Sequence, residues 1–324
     1  MKVLVTGGAG YIGSTLVPML LSNGYEVRAL DNLTHGGKSL LGVWPHLKFE
    51  FVEGDVRNEE EVRAALQSVD AVVHLAAIVG DPACARQPED ARAINYDATI
   101  QLFNIAKELG VKKFVFASTC SNYGKMKDPN DLVSETSELS PVSLYAETKV
   151  AVEKYILDPE NAGDLSATVL RFATAYGVSP RMRFDLTVNE FAMEVFTNRK
   201  LVIFGEQFWR PYAHIWDISR AVMAVLDAPT EKVSGEVFNV GSTHQNFQKQ
   251  QLADMLTQMV PDAVIEYVHK VEDPRDYRVS FEKIQNVLDF ETEHTVADGI
   301  DEVVKLVESG IIQDFKSTEY RNVP

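Results

Sequence analysis

The chain has 324 residues, of which 45% are hydrophobic and 24% are charged, a balance typical of globular proteins and not of disordered or fibrous ones. The 31 Lys and Arg residues are outnumbered by 47 Asp and Glu residues, and the resulting net charge of −16 argues against a protein that binds nucleic acid or an anionic membrane. Two cysteines without metal-ligand neighbours, and no apolar run near the roughly 18 residues of a membrane span, lead us to expect a cytoplasmic protein with no metal site.

The first 120 residues alternate short apolar runs with amphipathic segments, which is the pattern of parallel strands joined by helices. The apolar runs predict strands at residues 3–5, 26–30, 49–52, 71–74 and 113–117. Amphipathic segments predict helices at residues 11–21, 58–66 and 90–109. This alternation predicts an α/β fold built on a doubly wound parallel sheet.

After a sixth strand, predicted at residues 167–172, the regularity weakens. The pattern then indicates a helix near 188–197, a strand near 201–204, a helix that opens at Asp217, and a strand near 236–240. Because no Gly/Ser-rich linker occurs, we expect a smaller mixed α/β cap that interlocks with the sheet domain. The predicted sheet domain comprises residues 1–172 and 213–242, and the predicted cap comprises residues 173–212 and 243–324.

A glycine-rich turn at residues 6–13 follows the first strand and opens the first helix. Gly7 permits a tight turn, Gly10 lets the backbone approach a pyrophosphate, and Gly13 lets the helix pack on the sheet. Asp31 ends the second strand 18 residues after Gly13, where it can accept hydrogen bonds from an adenosine ribose. Since no arginine follows in the next three positions, NAD is favoured over NADP. The alternative is a purely structural turn with an incidental aspartate.

Tyr145 and Lys149 are four residues apart in a helical segment that runs to about residue 157, so both project from one helix face. A phenol titrates near 10, and lowering its pKa by about 3 units needs roughly 4 kcal/mol. A cation at about 4 Å in an effective dielectric near 20 supplies about that much. Lys149, together with an oxidised nicotinamide, could therefore hold Tyr145 as a phenolate. Such a pair also occurs by chance on many helices, so the prediction depends on the nucleotide site.

Five segments together resemble the extended short-chain dehydrogenases/reductases that act on nucleotide sugars. They are residues 6–13, 74–77, 118–124, 145–149 and 210–217, with residues 238–241 similar to the closing strand of that family. The resemblance spans nearly the whole chain and implies a Rossmann domain that binds NAD, with a nucleotide-sugar-binding cap. It also implies a homodimer formed by the helices at residues 90–109 and 145–157.

The resemblance implies a role for each matching residue. Thr119 would hydrogen-bond the reacting sugar oxygen, Tyr145 would act as general acid/base, and Lys149 would bind the nicotinamide ribose. Residues implied to contact the cofactor are Gly7, Gly10, Tyr11, Ile12, Gly13, Asp31, Asn32, Asp55, Val56, Leu75, Ala76, Ala77, Asn95, Tyr145 and Lys149. Residues implied to contact the nucleotide sugar are Cys120, Ser121, Thr174, Asn189, Arg210 and Arg275.

The two residues after Thr119 narrow the range of reactions that the chain is expected to catalyse. Relatives that eliminate water across a sugar carry Asp-Glu directly after the catalytic threonine, because elimination needs a further acid and base. This chain has Cys120 and Ser121 there, which disfavours a standard 4,6-dehydratase. Cys120 is either a packing residue or a proton donor. Thr174 replaces an asparagine of many relatives, and His214 is expected to be structural.

The leading hypothesis is a nucleotide-sugar epimerase, most simply at C4. Tyr145 would take the hydroxyl proton while hydride moves from the sugar carbon to NAD, and the ketone would turn over before it receives hydride on its other face. The alternatives are a nucleotide-sugar 4-ketoreductase, or another NAD-dependent sugar-modifying enzyme, and a catalytically silent dinucleotide-binding regulator.

Overall fold

The computed structural model describes residues 1–126, 128, 131–270 and 275–322. The predicted cap therefore includes a few positions, 271–274 and 323–324, that lie outside the described residues. Strands are β1 (Lys2–Thr6), β2 (Glu26–Asp31), β3 (Phe49–Glu53), β4 (Ala71–His74), β5 (Lys113–Thr119), β6 (Ser166–Phe172), β7 (Thr174–Tyr176), β8 (Lys200–Phe204), β9 (Trp209–His214), β10 (Glu236–Val240), β11 (Asn246–Gln248) and β12 (Val264–Val268).

Helices connect and cover these strands. They are α1 (Gly13–Ser22), α2 (Glu59–Ala65), α3 (Asp81–Arg86), α4 (Pro88–Arg92), α5 (Ala98–Glu108), α6 (Leu144–Ile156), α7 (Pro159–Ala162), α8 (Thr187–Asn198), α9 (Ile215–Asp227), α10 (Thr230–Val233), α11 (Lys249–Met259), α12 (Glu282–Leu288) and α13 (Val296–Ser309). Short 3₁₀ turns lie at Lys38–Leu40, Cys120–Tyr123, Thr243–Gln245 and Thr318–Tyr320. Across the described ranges, each helix is too short or too polar to cross a membrane.

The central sheet has seven strands among the described residues, in the order β10-β6-β5-β4-β1-β2-β3, and every neighbouring pair is parallel. Its central strands are apolar on both faces because helices cover both sides. The predicted doubly wound fold is therefore confirmed. The strand order reverses between β1 and β4, which opens a crevice at their carboxyl ends where such sheets bind ligands.

Two apolar cores lie on opposite faces of this sheet. One packs α1 and α9 against it, and the other packs α2, α5 and α6. The single helix predicted at residues 90–109 is instead formed by α4, a π-helical turn at Ala93–Asp97, and α5. The hydroxyl of Thr99 donates to the Asn95 carbonyl at 3.0 Å within this interruption, and π turns of this kind are frequent at functional sites.

The cap is a separate cluster of short elements with its own core. Its small sheets have the orders β11-β9-β7 and β12-β8 in the part of the chain that is described. Helix α13 buries an apolar stripe at helical spacing, which includes Ile300, Val303 and Val307, against α8. Backbone hydrogen bonds join Gly124, Met126 and Val133 to residues 276–280. The cap is therefore attached directly to the segment that follows β5.

A buried ion pair connects the sheet to α6. Arg171 on β6 donates to both carboxylate oxygens of Glu153 on α6, with the shortest N···O distance 2.6 Å. Ser118 and Asn122 also donate to this carboxylate, and Arg171 donates further to the Tyr123 hydroxyl at 3.0 Å. Both charged side chains are almost fully buried, so the pair depends on these extra hydrogen bonds to offset desolvation.

We predict that Glu153→Gln lowers the free energy of unfolding by roughly 3–5 kcal/mol, because it leaves the Arg171 charge buried and unpaired. Urea unfolding measures this change. Asp301→Asn removes an exposed carboxylate that pairs with Lys305 on α13, and should change the same quantity by less than about 0.5 kcal/mol. Equal effects from the two substitutions would contradict the assignment.

Candidate functional site

The glycine-rich turn lies at the strand-order reversal and can be formed only by glycine at two positions. Gly7 has φ of +72°, and a Cβ there would lie 2.9 Å from the Ala76 nitrogen. A Cβ on Gly13 would lie 2.2 Å from the Gly7 carbonyl oxygen. The turn therefore lies close to the chain after β4 and leads directly into α1, whose N-terminus is a type of site that binds anions.

The carboxyl ends of β2 and β3 place two carboxylates beside this turn. Asp31 accepts the N–H of Ala9 at 3.0 Å and of Leu33 at 2.9 Å, and its burial raises its pKa. Asn32 donates to Asp55 at 3.3 Å, and the Arg57 guanidinium beside Asp55 holds the pKa of that carboxyl at about 2. Acidic and amide oxygens here suit the hydroxyls of a ribose.

The segment after β4 forms the next wall. Leu75 donates its N–H to the Thr6 carbonyl at 3.1 Å, and Ala76 donates to the Thr6 hydroxyl at 3.3 Å. Asn95, expected to lie close to the cofactor, is 1% exposed and bonds both the N–H and the carbonyl of Ile78. Its side chain holds this segment in place, and its proximity to the cofactor stays a prediction.

Thr119, Tyr145 and Lys149 come together at the carboxyl end of β5. The Lys149 ammonium donates to the Ala117 carbonyl at 2.8 Å, and lies 4.6 Å from the ring centre of Phe116 and 5.9 Å from that of Tyr145. Thr119 ends β5, and its hydroxyl accepts the N–H of Ser121 at 3.1 Å. The predicted one-face arrangement on α6 is thus present, beside the strand end that carries Thr119.

Burial dominates the electrostatics of this group. It raises the pKa of Tyr145 above its ordinary value, with Cys84 and Asp81 adding to the effect and Arg183 opposing it. Burial also lowers the pKa of Lys149 to about 8. The protein's own groups therefore favour the neutral phenol, and the phenolate expected from Lys149 together with an oxidised nicotinamide stays a prediction.

Two residues expected to contact substrate are engaged inside the fold. Cys120 is 1% exposed, its thiol donates to the Arg171 carbonyl at 3.2 Å, and burial raises its pKa. Asn189 is 0% exposed and bonds Gly177, Arg183 and the Tyr11 hydroxyl. These contacts favour the packing role of Cys120 over that of a proton donor, and Asn189 connects α8 to the glycine-rich turn. Contact of either residue with a substrate stays a prediction.

Other expected substrate residues line the crevice from the cap side. Ser121 accepts a hydrogen bond from the Tyr277 hydroxyl at 3.3 Å. The Arg210 guanidinium lies 5.6 Å from the ring centre of Tyr277, and its Nη1 donates to the Trp209 carbonyl at 2.6 Å. Thr174 is partly buried in β7, opposite Tyr212 on β9.

An ion pair crosses the crevice. Arg275 of the cap lies 2.9 Å from Asp81 at the start of α3. The other Asp81 oxygen accepts the hydroxyl of Ser143, the N-terminal cap of α6, at 2.7 Å. Arg275 is thus close to the helix that carries Tyr145, as expected for a residue of the same site, although its partner here is a carboxylate.

His214 has the structural role expected of it. Its Nε2 lies 2.9 Å from the Glu302 carboxylate, its ring stacks on that of His294 at 4.3 Å, and its Nδ1 accepts the N–H of Trp216 at the start of α9. These contacts join the cap helix α13 to the sheet domain, away from Tyr145.

Sequence reasoning missed Tyr277, Asp81 and the two arginines at positions 181 and 183. The arginines, two residues apart after β7, were visible as a local excess of positive charge in an acidic chain. Tyr277 gave no such signal, because its partner Ser121 is 156 residues away.

Comparison with known proteins agrees with this geometry. The profile described as the NAD dependent epimerase/dehydratase family matches residues 3–241. The UDP-glucuronate 4-epimerase of Thermodesulfobacterium geofontis is 30% identical over 315 residues, which cover 93% of this chain and 94% of that one.

Solved structures show the same similarity. A UDP-glucuronic acid 4-epimerase from Bacillus cereus, in complex with UDP-glucuronic acid and NAD, has a TM-score of 0.85 at 27% identity, covering 95% of this chain and 99% of the other. A dTDP-glucose 4,6-dehydratase from Streptomyces venezuelae with NAD bound has a TM-score of 0.84 at 26% identity, covering 95% and 97%.

We predict that Gly7→Ala weakens NAD binding by at least tenfold, because the new Cβ meets the backbone at Ala76 as well as straining φ. Titration calorimetry measures the affinity. Gly24→Ala is the matched control, since Gly24 has φ of +86° but no atom within 4 Å of the added Cβ. It should lower stability through φ alone and leave NAD affinity unchanged; a loss of affinity there would contradict the explanation.

Proposed function

We propose that this chain, which belongs to the NAD dependent epimerase/dehydratase family, is a nucleotide-sugar epimerase that inverts C4 through a transient ketone. The observation that carries the proposal is the placement of Tyr145 and Lys149 on one face of α6, beside Thr119 and next to the glycine-rich turn. A phenol, an ammonium and a hydroxyl around one dinucleotide crevice suit proton transfer to and from a carbohydrate alcohol.

The residues of the crevice fit NAD. The turn around Gly7 and the N-terminus of α1 would hold the pyrophosphate, Asp31 would bind the adenosine ribose, and Lys149 the nicotinamide ribose. NAD supplies a carrier that can take hydride from the sugar carbon and return it to either face of the ketone. The remaining work belongs to side chains of this chain.

Tyr145 would exchange the proton of the reacting hydroxyl. Its environment favours the neutral phenol, which makes Tyr145 a weaker proton donor, and the phenolate that would accept the sugar proton is stabilised only when positive charge is close. Lys149 lies 5.9 Å from the ring centre, and a full charge at about 6 Å contributes only roughly 3 kcal/mol in a dielectric near 20. We infer that the positive nicotinamide ring is needed as a second source of charge.

The part of the substrate that is held by the protein must differ from the reacting sugar carbon. A ketone that rotates in the pocket has to be anchored by another part of the molecule. Arg210 and Arg275 would provide the anchor by binding the diphosphate, since guanidinium groups bind phosphate oxygens bidentately. Both lie on the cap side of the crevice, near Tyr277 and Asp81 respectively. The named relatives favour a UDP-sugar as substrate.

Elimination chemistry is disfavoured by the two positions after Thr119. Cys120 is turned into the core, and Ser121 bonds Tyr277. Neither offers the carboxylic acid and carboxylate that dehydration across the sugar needs. The global fold does not distinguish the reactions, since a dehydratase matches it as well as an epimerase does. We therefore base the choice between the two reactions on Cys120 and Ser121.

A homodimer formed by α5 and α6 belongs to the same proposal. Partly buried apolar side chains occur on and near these helices, among them Ile100, Tyr155 and Leu157. Packing these helices against their copies would bury that surface without covering the crevice. Light scattering of the purified protein would report twice the chain mass of 36.1 kDa.

The reaction is tested by incubating the protein with UDP-, dTDP-, GDP- and CDP-sugars and following the products by NMR. We expect inversion at C4 of at least one UDP-sugar, without added reductant and without net consumption of NADH. Stoichiometric oxidation of NADH or NADPH by a keto-sugar, with no inversion, would replace the epimerase with a ketoreductase. Binding of NAD without turnover of any sugar would favour a silent regulator.

We predict that Tyr145→Phe lowers kcat by several orders of magnitude, because the ring remains and only the proton-carrying oxygen is lost. NAD affinity, measured separately by calorimetry, should change less than threefold. Tyr155→Phe is a matched control on the same helix, since its hydroxyl bonds Asn104 away from the crevice. Unchanged turnover in Tyr145→Phe would remove Tyr145 from its assigned role.

A further inference from the structure

Arg181 is a buried cation that forms no ion pair within 4.0 Å among the described residues, although Asp185 and Asp31 attract it from farther away. Its side chain is 5% exposed, and its Nε is buried with no hydrogen-bond acceptor among the described residues. Its Nη2 donates to the Arg321 carbonyl at 3.1 Å. A buried guanidinium is rarely left with an unmatched N–H, because desolvation of a charged donor is costly.

The neighbouring charges do not neutralise it. Arg183 takes the adjacent carboxylate, since it donates to both oxygens of Asp185 at 2.8 Å. Asp31 attracts Arg181 only at longer range and already accepts two backbone N–H groups. Burial and the nearby Arg183 lower the pKa of Arg181 to about 10, and the same surroundings lower that of His35 to about 4, so His35 is neutral at pH 7.

The segment that carries Arg181 lies across the amino end of α1. Ser179 donates to the Tyr11 carbonyl at 2.8 Å and lies 3.0 Å from the Ser14 hydroxyl, which in turn accepts the Arg181 N–H at 3.3 Å. Both Tyr11 and Ser14 belong to the turn and first helical turn that the ligand's phosphates would approach. The backbone of Arg181 is therefore next to a helix N-terminus, which itself attracts anions.

We propose that Arg181 binds the diphosphate of the dinucleotide, so that the cap segment at residues 177–183 is part of the cofactor site. The phosphates supply the negative charge and the acceptor oxygens that Arg181 lacks within the protein. The sequence assigns the diphosphate to the glycine-rich turn alone. With Arg181 included, cofactor and cap are linked, and dissociation of NAD requires loss of a contact that the sheet domain cannot replace.

Removal of the Arg181 charge should change the stability of the nucleotide-free protein in the opposite direction from removal of a structural arginine. Arg181→Met keeps the length of the side chain and removes the unmatched charge. In protein stripped of nucleotide it should raise the midpoint of thermal unfolding, because a buried uncompensated cation is replaced by an apolar group. The same variant should bind both NAD and ADP roughly 10- to 100-fold more weakly, since charge-assisted hydrogen bonds are lost.

Calorimetric titration with adenosine, ADP, NAD and NADP tests this independently of sugar turnover. Adenosine affinity should be unchanged, because it carries no phosphate. Arg181→Lys keeps the charge and should retain most of the affinity for ADP. If Arg181→Met does not fold, the lysine variant still allows the proposal to be tested. Arg63→Met removes the same formal charge from an exposed site, where Arg63 pairs with Glu59 and Glu108, and should leave all four affinities unchanged.

Unchanged affinity of Arg181→Met for NAD and ADP would overturn the proposal. Equal weakening of adenosine would also overturn it, since that indicates a distorted pocket instead of a lost phosphate contact. Loss confined to NADP would assign Arg181 to a 2′-phosphate and contradict the diphosphate. None of these outcomes depends on whether the protein epimerises a sugar, so they are distinguishable from failure of the proposed function.

Discussion

The Glu153–Arg171 ion pair lies between the strand that ends at Thr119 and the helix that carries Tyr145 and Lys149. Its carboxylate also accepts hydrogen bonds from Ser118 and Asn122, at and just after the end of β5, and the Lys149 ammonium donates to Ala117 of the same strand, so charged groups of α6 hold this helix against the strand end. A buried pair of this kind is a poor source of net stability, since both charges are desolvated. Its effect is on geometry, because a shift of about 1 Å between reacting groups can cost a hundredfold in rate.

The same burial that makes this geometry rigid also sets the protonation states. Tyr145 and Lys149 both respond to a low-dielectric environment by favouring their neutral forms, and they lie too far apart for one to cancel the effect on the other. A site in this condition changes its proton affinity strongly when a charge enters it. Under the proposed function, the positive charge of a bound nicotinamide would therefore lower the pKa of Tyr145.

Much of the candidate site could be predicted from the residue types at neighbouring sequence positions. The turn around Gly7, the acidic strand end at Asp31 and the pair on α6 all follow from short-range patterns, and the structure brings them to one crevice. The bonds that Asn189 and Cys120 make inside the fold could not be predicted, because hydrogen-bond satisfaction is a long-range property. An amide or thiol in a matching motif is equally able to bond a ligand or a distant carbonyl, and only the packing of β6 and α8 decides which.

The contacts of the cap were the least predictable part of the structure. They also add the residues that the dinucleotide motif of the sheet domain does not supply. Tyr277 bonds Ser121, two positions after β5 ends at Thr119, and Arg275 pairs with Asp81 at the start of α3. Both contacts join segments far apart in the chain, so neither leaves a periodic or motif-like trace. The sheet domain holds the glycine-rich turn and the Tyr145–Lys149 pair, and a similar fold occurs in both an epimerase and a dehydratase. Because Cys120 and Ser121 are held by contacts with β6 and the cap, the packing of the cap on the sheet is a determinant of the reaction under the proposed function.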